Sequence, residues 1–148
     1  MYSNIKPLNE QEYKVFQYLT EAARTGERQA VKINNDSTYM PVCVEILLST
    51  PAYEHVSICH YGEMNGDLMA DPEVVFYHDR SEGKAYPGYF KNDYAGVEMD
   101  AIYYNEEEKP QKVNVNLQTE LAEFCEMWMR NINEQQELNL ITCEEINV

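Results

Sequence analysis

Positive charge is scarce in this chain: 11 Lys and Arg stand against 26 Asp and Glu, a formal net charge of −15 over 148 residues. A duplex is itself a dense polyanion, and a protein that grips it needs a stripe of Lys and Arg to displace counterions. The basic residues here are scattered, as Lys6, Lys14, Arg24, Arg28, Lys32, Arg80, Lys84, Lys91, Lys109, Lys112 and Arg130. Direct binding of nucleic acid is therefore disfavoured, and no basic helix is present to lie on an anionic membrane. Long hydrophobic runs are missing too. The longest apolar pieces are strand-sized, such as Val42–Leu48, well short of a bilayer span, and no signal-like apolar stretch opens the sequence. Cys43, Cys59, Cys125 and Cys143 are dispersed, with neither a CxxC pair nor a disulfide framework, so the expectation is a reduced, cytoplasmic protein.

Familiar catalytic signatures are also lacking. There is no Gly-x-Ser-x-Gly elbow, and Gly62, Gly66, Gly83, Gly88 and Gly96 are isolated rather than gathered into a phosphate-cradling loop ahead of a helix. Cys59 and His60 are adjacent on one strand, so their side chains point to opposite faces and share neither a metal nor a proton.

What the chain does contain is a periodic pattern suited to one compact domain spanning residues 1–148, since two cores would leave each half too small to offset chain entropy. Asn9 is placed to cap a helix, with Glu12 as its capping-box partner. Tyr13, Phe16, Leu19, Ala22 and Ala23 follow at helical spacing up to Gly26. The period then falls toward two. Strands are expected at Ala30–Ile33, Val42–Leu48, His55–Tyr61, Glu73–His78 and Val97–Tyr104, with Ala85–Phe90 as an edge strand broken by Pro87 and Gly88. Val42, Val44, Ile46 and Leu48 share one predicted face, as do Val56, Ile58 and His60, and Val74, Phe76 and His78. A second helix over Leu117–Glu134 carries the stripe Leu117, Leu121, Phe124, Cys125, Trp128 and Ile132, and Leu138–Val148 is a short strand or a loose end. This order predicts an α+β fold: a mostly antiparallel sheet of about five to six strands with an N-terminal and a C-terminal helix packed against it.

Between the strands ending at Tyr61 and beginning at Glu73 the residues read as a specifically shaped loop over 60–73. Its candidate binding residues are His60, Glu63, Asn65, Asp67, Asp71 and Glu73, joined by Asn92 and Asp93 of a later turn. Asn65, Asp67, Asp71 and Glu73 offer oxygens to a hard cation, yet they lack the alternating ligands and downstream Glu of an EF-hand loop. No metal, cofactor or catalytic residue is therefore assigned. If the flanking strands pair directly, His60 falls beside Val74 and His78 beside Val56, too far apart to share an ion, and His60 takes Asp67 or Asn65 as its hydrogen-bond partner. Trp128 reads as core. Tyr86, Tyr89, Tyr94, Tyr103 and Tyr104 lie among acidic residues, a composition suited to a contact patch or to half-buried sheet edges. The acidic residues expected at the contact surface are Glu106, Glu107 and Glu108 in a solvated loop, with Glu120, Glu123 and Glu126 on the second helix.

The run His60-Tyr61-x-Glu63-x-Asn65-Gly66-Asp67-x-Met69-x-Asp71-Pro72-Glu73-x-x-Phe76, then Phe90-x-Asn92-Asp93-x-x-Gly96-Val97, then Phe124-x-x-x-Trp128-x-x-Asn131-Ile132, resembles an uncharacterised family of short proteins. That family is a domain of unknown function met in bacteria and in their plasmids, phages and conjugative elements. The resemblance covers roughly residues 40–137. This chain departs from the family pattern at Val74, where Met is usual, at Lys91, where Gln or Arg is usual, and at Val97-Glu98. The resemblance implies a mobile-element setting without established enzymology, centred on the 60–73 segment with Asn92 and Asp93.

Sign of charge and resemblance together lead to one expectation of function. A small, non-enzymatic acidic protein of this kind binds and inhibits or modulates a host nucleic-acid-handling protein, in the manner of an anti-restriction or anti-CRISPR factor. Its field repels DNA and attracts the basic surface, such as a nuclease channel, that is built to hold DNA. The alternatives are a metal-dependent enzyme or binding module on the 60–73 carboxylates, and an accessory interaction domain for plasmid or phage replication and transfer.

Overall fold

A computed structural model of the chain describes residues 2–141 and 146. Its helices are α1 (Glu10–Arg24) and α2 (Val115–Gln135). The strands are β1 (Ala30–Ile33), β2 (Val42–Ser49), β3 (Tyr53–Met64), β4 (Asp67–Asp79), β5 (Lys84–Asn92), β6 (Val97–Asp100), β7 (Ile102–Tyr104) and β8 (Pro110–Val113). The first six strands form one antiparallel meander in chain order, while β7 and β8 form a separate hairpin. This is the expected α+β arrangement, with both helices on one face of the sheet.

Alternation along β2, β3 and β4 turns Val42, Val44, Ile46, Val56, Ile58, Val74 and Phe76 toward the helices. There they pack on Phe16, Leu19 and Ala23 of α1 and on Leu121, Cys125, Met129 and Ile132 of α2. Trp128, 5% exposed, belongs to this core. Leu48 does not. A register shift between Ile46 and Leu48 moves Leu48 opposite His55, on the other face, where it is exposed. The other face has its own smaller core of Ile5, Tyr77, Tyr86 and Ile102, with Tyr2, Tyr53 and Tyr104 packed around it.

Several expected boundaries move for identifiable reasons. Ala85–Phe90 is an edge strand only in part: within β5, Tyr89 and Phe90 pair with both β4 and β6, while Ala85, Tyr86 and Pro87 pair with β4 alone. Its Pro87 and Gly88 are accommodated because the register shifts there, Val75 pairing with Tyr89 and Phe76 with Pro87. The single strand expected over Val97–Tyr104 breaks at buried Ala101, whose N–H donates to the Gly88 carbonyl at 2.8 Å. The chain then crosses to the second face as β7. A Cβ at Gly88 would lie 2.7 Å from the Tyr104 hydroxyl oxygen and 3.0 Å from Ile102 Cβ, so glycine is what permits this close crossing. Residues 138–141 form no strand, and the rest of the expected tail, apart from Ile146, lies outside the described residues.

Two glutamines, both essentially inaccessible to solvent, tie irregular segments to the core. Gln118 accepts from the Lys6 N–H at 2.8 Å and donates to the carbonyls of Lys6 at 2.8 Å and Pro87 at 3.2 Å, fastening the N-terminal segment to α2 and β5. Gln136 accepts from the backbone N–H groups of Asn35 and Asp36 and donates to the Met40 carbonyl, fixing the β1–β2 connection. The Asn9 side chain does cap α1, accepting from the Glu12 N–H at 3.2 Å. Glu12 does not complete a capping box, because its carboxylate, 2% exposed, turns to Arg130 of α2 at 3.2 Å.

Replacing Gln118 with Ala strands three buried backbone groups at once, so the variant is expected to lose about 2–4 kcal/mol of stability. Urea unfolding at neutral pH measures the loss.

Candidate functional site

The segment expected to be a loop over 60–73 is instead the protruding end of the β3–β4 hairpin. Only Asn65 and Gly66 lie outside the strands, with φ of 53° and 85°, the left-handed pair of a two-residue hairpin turn. The strands run past the register of their neighbours, because β2 pairs no further along β3 than Cys59 and β5 no further along β4 than Glu73. Between Cys59–Glu73 and Tyr61–Ala70 the register shifts, so His60 stands opposite two residues, Asp71 and cis Pro72.

The predicted residues divide at this bulge. Asp71 accepts from Asn92 Nδ2 at 3.1 Å, and Asp93 receives the Ala70 N–H on Oδ2 at 2.7 Å while its own N–H donates to the Ala70 carbonyl at 2.9 Å. Asp71, Asn92 and Asp93 are thus brought together, holding the β5–β6 turn against the base of the hairpin. Tyr94 of the same turn lies on Gly62, where any side chain would collide with its hydroxyl, and it donates to the Glu63 carbonyl at 3.3 Å. Glu73 lies on the sheet face away from the helices, accepting from Ser57 Oγ at 2.7 Å. Glu63, Asn65 and Asp67 are exposed toward the tip.

His60 takes neither Asp67 nor Asn65 as its partner. Its Nδ1 donates to the Pro41 carbonyl at 3.0 Å, and its ring meets Trp128 edge-on at 5.4 Å. Burial pushes its pKa down, so it is a neutral, structural imidazole. Strand pairing also differs from the direct register: His78 stands opposite Glu54 rather than Val56, and Val74 opposite Ile58 rather than His60. The two histidines are thus displaced by six strand positions, roughly 20 Å. Among the described residues, no three His, Cys, Asp or Glu side chains are grouped to hold a metal ion.

The β7–β8 hairpin and the N-terminal segment cover only part of the second sheet face. Past them, β1, β2 and β3 present a cavity of about 330 Å³ lined by Ala30, Lys32, Cys43, Glu45, Ser57, Cys59 and Tyr61 among others. Cys43 and Cys59 are opposite one another in the ladder. Burial raises both thiols, Cys59 to about 12, so neither is an activated nucleophile. Along the same face, Tyr89 donates to Glu98 and Glu73 pairs across the strands with Lys91.

A polar relay that sequence reasoning missed lies under α1. Glu54, wholly inaccessible to solvent, receives both Nη groups of Arg24 at 2.8 Å, His78 Nδ1 at 2.9 Å and Ser49 Oγ at 3.2 Å. His78 Nε2 then meets the Tyr13 hydroxyl at 2.7 Å. Burial alone would push the Glu54 carboxyl up, but its hydrogen bonds to Arg24 and His78 outweigh this and hold it near 2. Arg24, Glu54 and His78 are distant in sequence, and only the β3–β4 register reveals that Glu54 faces His78.

The expected acidic residues form two groups. Glu106, Glu107 and Glu108 occupy the β7–β8 turn, whose Glu107 and Glu108 carbonyls accept from Tyr53 and His55, on the second sheet face. Glu120, Glu123 and Glu126 lie on α2, across the sheet, where Glu126 and Glu123 are partly offset by Lys6 at 3.7 and 4.0 Å. They do not form one surface.

The architecture is that of an α+β domain with a helical layer, a six-stranded meander and a second face only partly covered. A family model described as a domain of unknown function, DUF6908, matches residues 14–138, and the chain belongs to that family. The match starts within α1, earlier than the resemblance over 40–137 indicates, and so takes in both helices and the whole sheet. No curated protein and no solved structure matches the chain. No described helix is long and apolar enough to cross a membrane.

Because the folded Glu54 carboxyl titrates near 2 and an unperturbed one near 4.5, the stabilisation it confers is complete above about pH 4.5 and is lost as pH falls through that interval. The expected size is about 3 kcal/mol, and urea midpoints between pH 2 and 7 should trace it. Glu54→Gln should flatten that part of the profile and destabilise the protein at pH 7 by roughly 3 kcal/mol, since it removes the buried counter-charge of Arg24 and leaves only the exposed Glu21.

Proposed function

We propose that this chain is a non-catalytic acidic binding protein that engages the basic surface of a nucleic-acid-handling protein, with the β3–β4 hairpin as the leading contact. The observation that carries this reading is a set of exposed apolar side chains on both faces of the hairpin and its flank: Tyr61 at 39% and Leu68 at 66% on one face, Met64 at 46% and Tyr94 at 44% on the other. Glu63 lies directly opposite Leu68, and Asp67 opposite Met64. Aromatic and aliphatic anchors framed by charge are the composition of a protein contact, whereas unneeded exposure of large apolar groups is selected against.

The electrostatics of the central strands support the same reading. No lysine or arginine occurs between Lys32 and Arg80, a stretch that contains all of β2, β3 and β4 along with Glu45, Glu63, Asp67, Asp71, Glu73 and Asp79 outside the buried Glu54–Arg24 pair. A surface of that sign is repelled by DNA and drawn to the Lys/Arg channel of a nuclease, raising the encounter rate at low salt. The protein acts by occupying such a channel, as an inhibitor or modulator carried by a bacterial mobile element. The Glu106–Glu108 turn and the α2 acids add to the long-range field from outside the direct contact.

Affinity capture from nuclease-treated host lysate, followed by cleavage assays on the recovered restriction or RNA-guided enzyme, tests this reading. Inhibition should weaken steeply between about 50 and 200 mM salt. The combined change Glu63→Lys, Asp67→Lys and Leu68→Ala should reduce affinity by about 100-fold or more while leaving the urea midpoint unchanged. Capture that ignores both salt and the hairpin changes would overturn the proposal.

A further inference from the structure

Away from the acidic strands, the outer side of α1 reverses the sign of the surface. Two cavities of about 760 and 150 Å³ meet there, sharing Tyr13 and Gln17 as lining residues. Lys14 and Lys84 line the larger one and Arg80 the smaller, and none of the three pairs with a carboxylate among the described residues. Of the acids lining the groove, Glu21 is engaged by Arg24 at 3.1 Å and Glu126 by Lys6 at 3.7 Å, which leaves Glu10. Three cations without a carboxylate partner thus stand at the groove, Arg80 donating to the Thr50 carbonyl at 2.9 Å and Lys84 lying opposite Asp79 in the ladder, on a protein whose net charge is −15.

A second observation points to an occupant. Thr20 Oγ1 is buried, has no hydrogen-bond partner, and belongs to a residue 1% exposed that lines the smaller cavity. A buried hydroxyl without a partner forfeits its hydration, and an incoming oxygen would restore what it lacks. Where the cavities join, the Tyr13 hydroxyl is held in place by His78 Nε2 and, through His78, by Glu54. Burial and the neighbouring Glu54 charge raise the Tyr13 pKa, so it stays protonated, its O–H directed to His78 Nε2.

We propose that this groove binds a small phosphorylated molecule, with the phosphate held at the Tyr13 junction by Lys14, Lys84 and Arg80 and by the Thr20 hydroxyl. Cations without carboxylate partners and an unpartnered buried hydroxyl are together a phosphate-recognition set, and the larger cavity is of a size to take the rest of a nucleotide-sized ligand. The inference is independent of the protein-binding role and lies on different residues.

Titration of the ¹⁵N-labelled full chain with AMP, adenosine and inorganic phosphate tests it. AMP should give saturable amide shifts at Tyr13, Gln17, Thr20 and Gly83, and adenosine none. Phosphate that shifts the same amides more weakly identifies an esterified ligand, while phosphate that matches AMP identifies the free ion. Arg80→Gln and Lys84→Glu should each weaken AMP binding by about fivefold, the effect of losing one exposed ion pair, and Glu63→Lys should leave it unchanged. No saturation by about 10 mM AMP, saturation on other amides, or indifference to both groove substitutions overturns the proposal.

Discussion

The carboxylate of Glu54 is the constraint from which the helical layer takes its position. It is sealed beneath α1, and a charge removed from water in this way is tolerable only when its oxygens are fully engaged. Arg24 reaches it from the last turn of α1, His78 from the neighbouring strand and Ser49 from the end of β2. Apolar packing of Phe16 against Phe76, with ring centres 5.0 Å apart, is compatible with some sliding of the helix. A two-pronged guanidinium on a fixed carboxylate is not, because its geometry is planar and directional. The clamp therefore fixes the axial position of α1, and with it Tyr13, Thr20 and the groove they line.

How much of this was legible in the sequence depended on whether the signal was periodic or relational. Apolar alternation in Val42–Ile46, Val56–Ile58 and Val74–Phe76 located the core face, and the Asn9 cap and the Trp128 stripe located the helices. Leu48 broke the pattern because a one-residue bulge reverses every later side chain, and no local propensity announces a bulge. The 60–73 segment looked like a loop since Gly62, Asn65, Gly66 and Pro72 are all turn formers. Only Asn65 and Gly66 act as the turn, while Gly62 makes room for Tyr94 and Pro72 sits in the bulge. Apart from Ser49, the partners of Glu54, Gln118 and Gln136 are 24 to 112 positions away, and no spacing rule connects residues that far apart.

The distribution of charge is as informative as its total. The cation-free strands β2, β3 and β4 include the protruding hairpin, whereas Lys14, Arg80 and Lys84 gather beside α1. The charge is therefore distributed unevenly, with the hairpin tip and the groove at opposite ends of β4. A uniform acidic coat orients nothing on approach, whereas a lopsided one, in the binding role proposed above, would present the hairpin first.

The contact between Asp93 and Ala70 bears on how the sheet ends. By supplying both an acceptor and a donor to one residue of β4, a turn aspartate imitates the rung that another strand would contribute. That flank of the projecting ribbon is closed to any extended chain at this rung. A second copy cannot zip onto it there, so the protein can project an apolar fingertip without inviting fibrous self-association from that side.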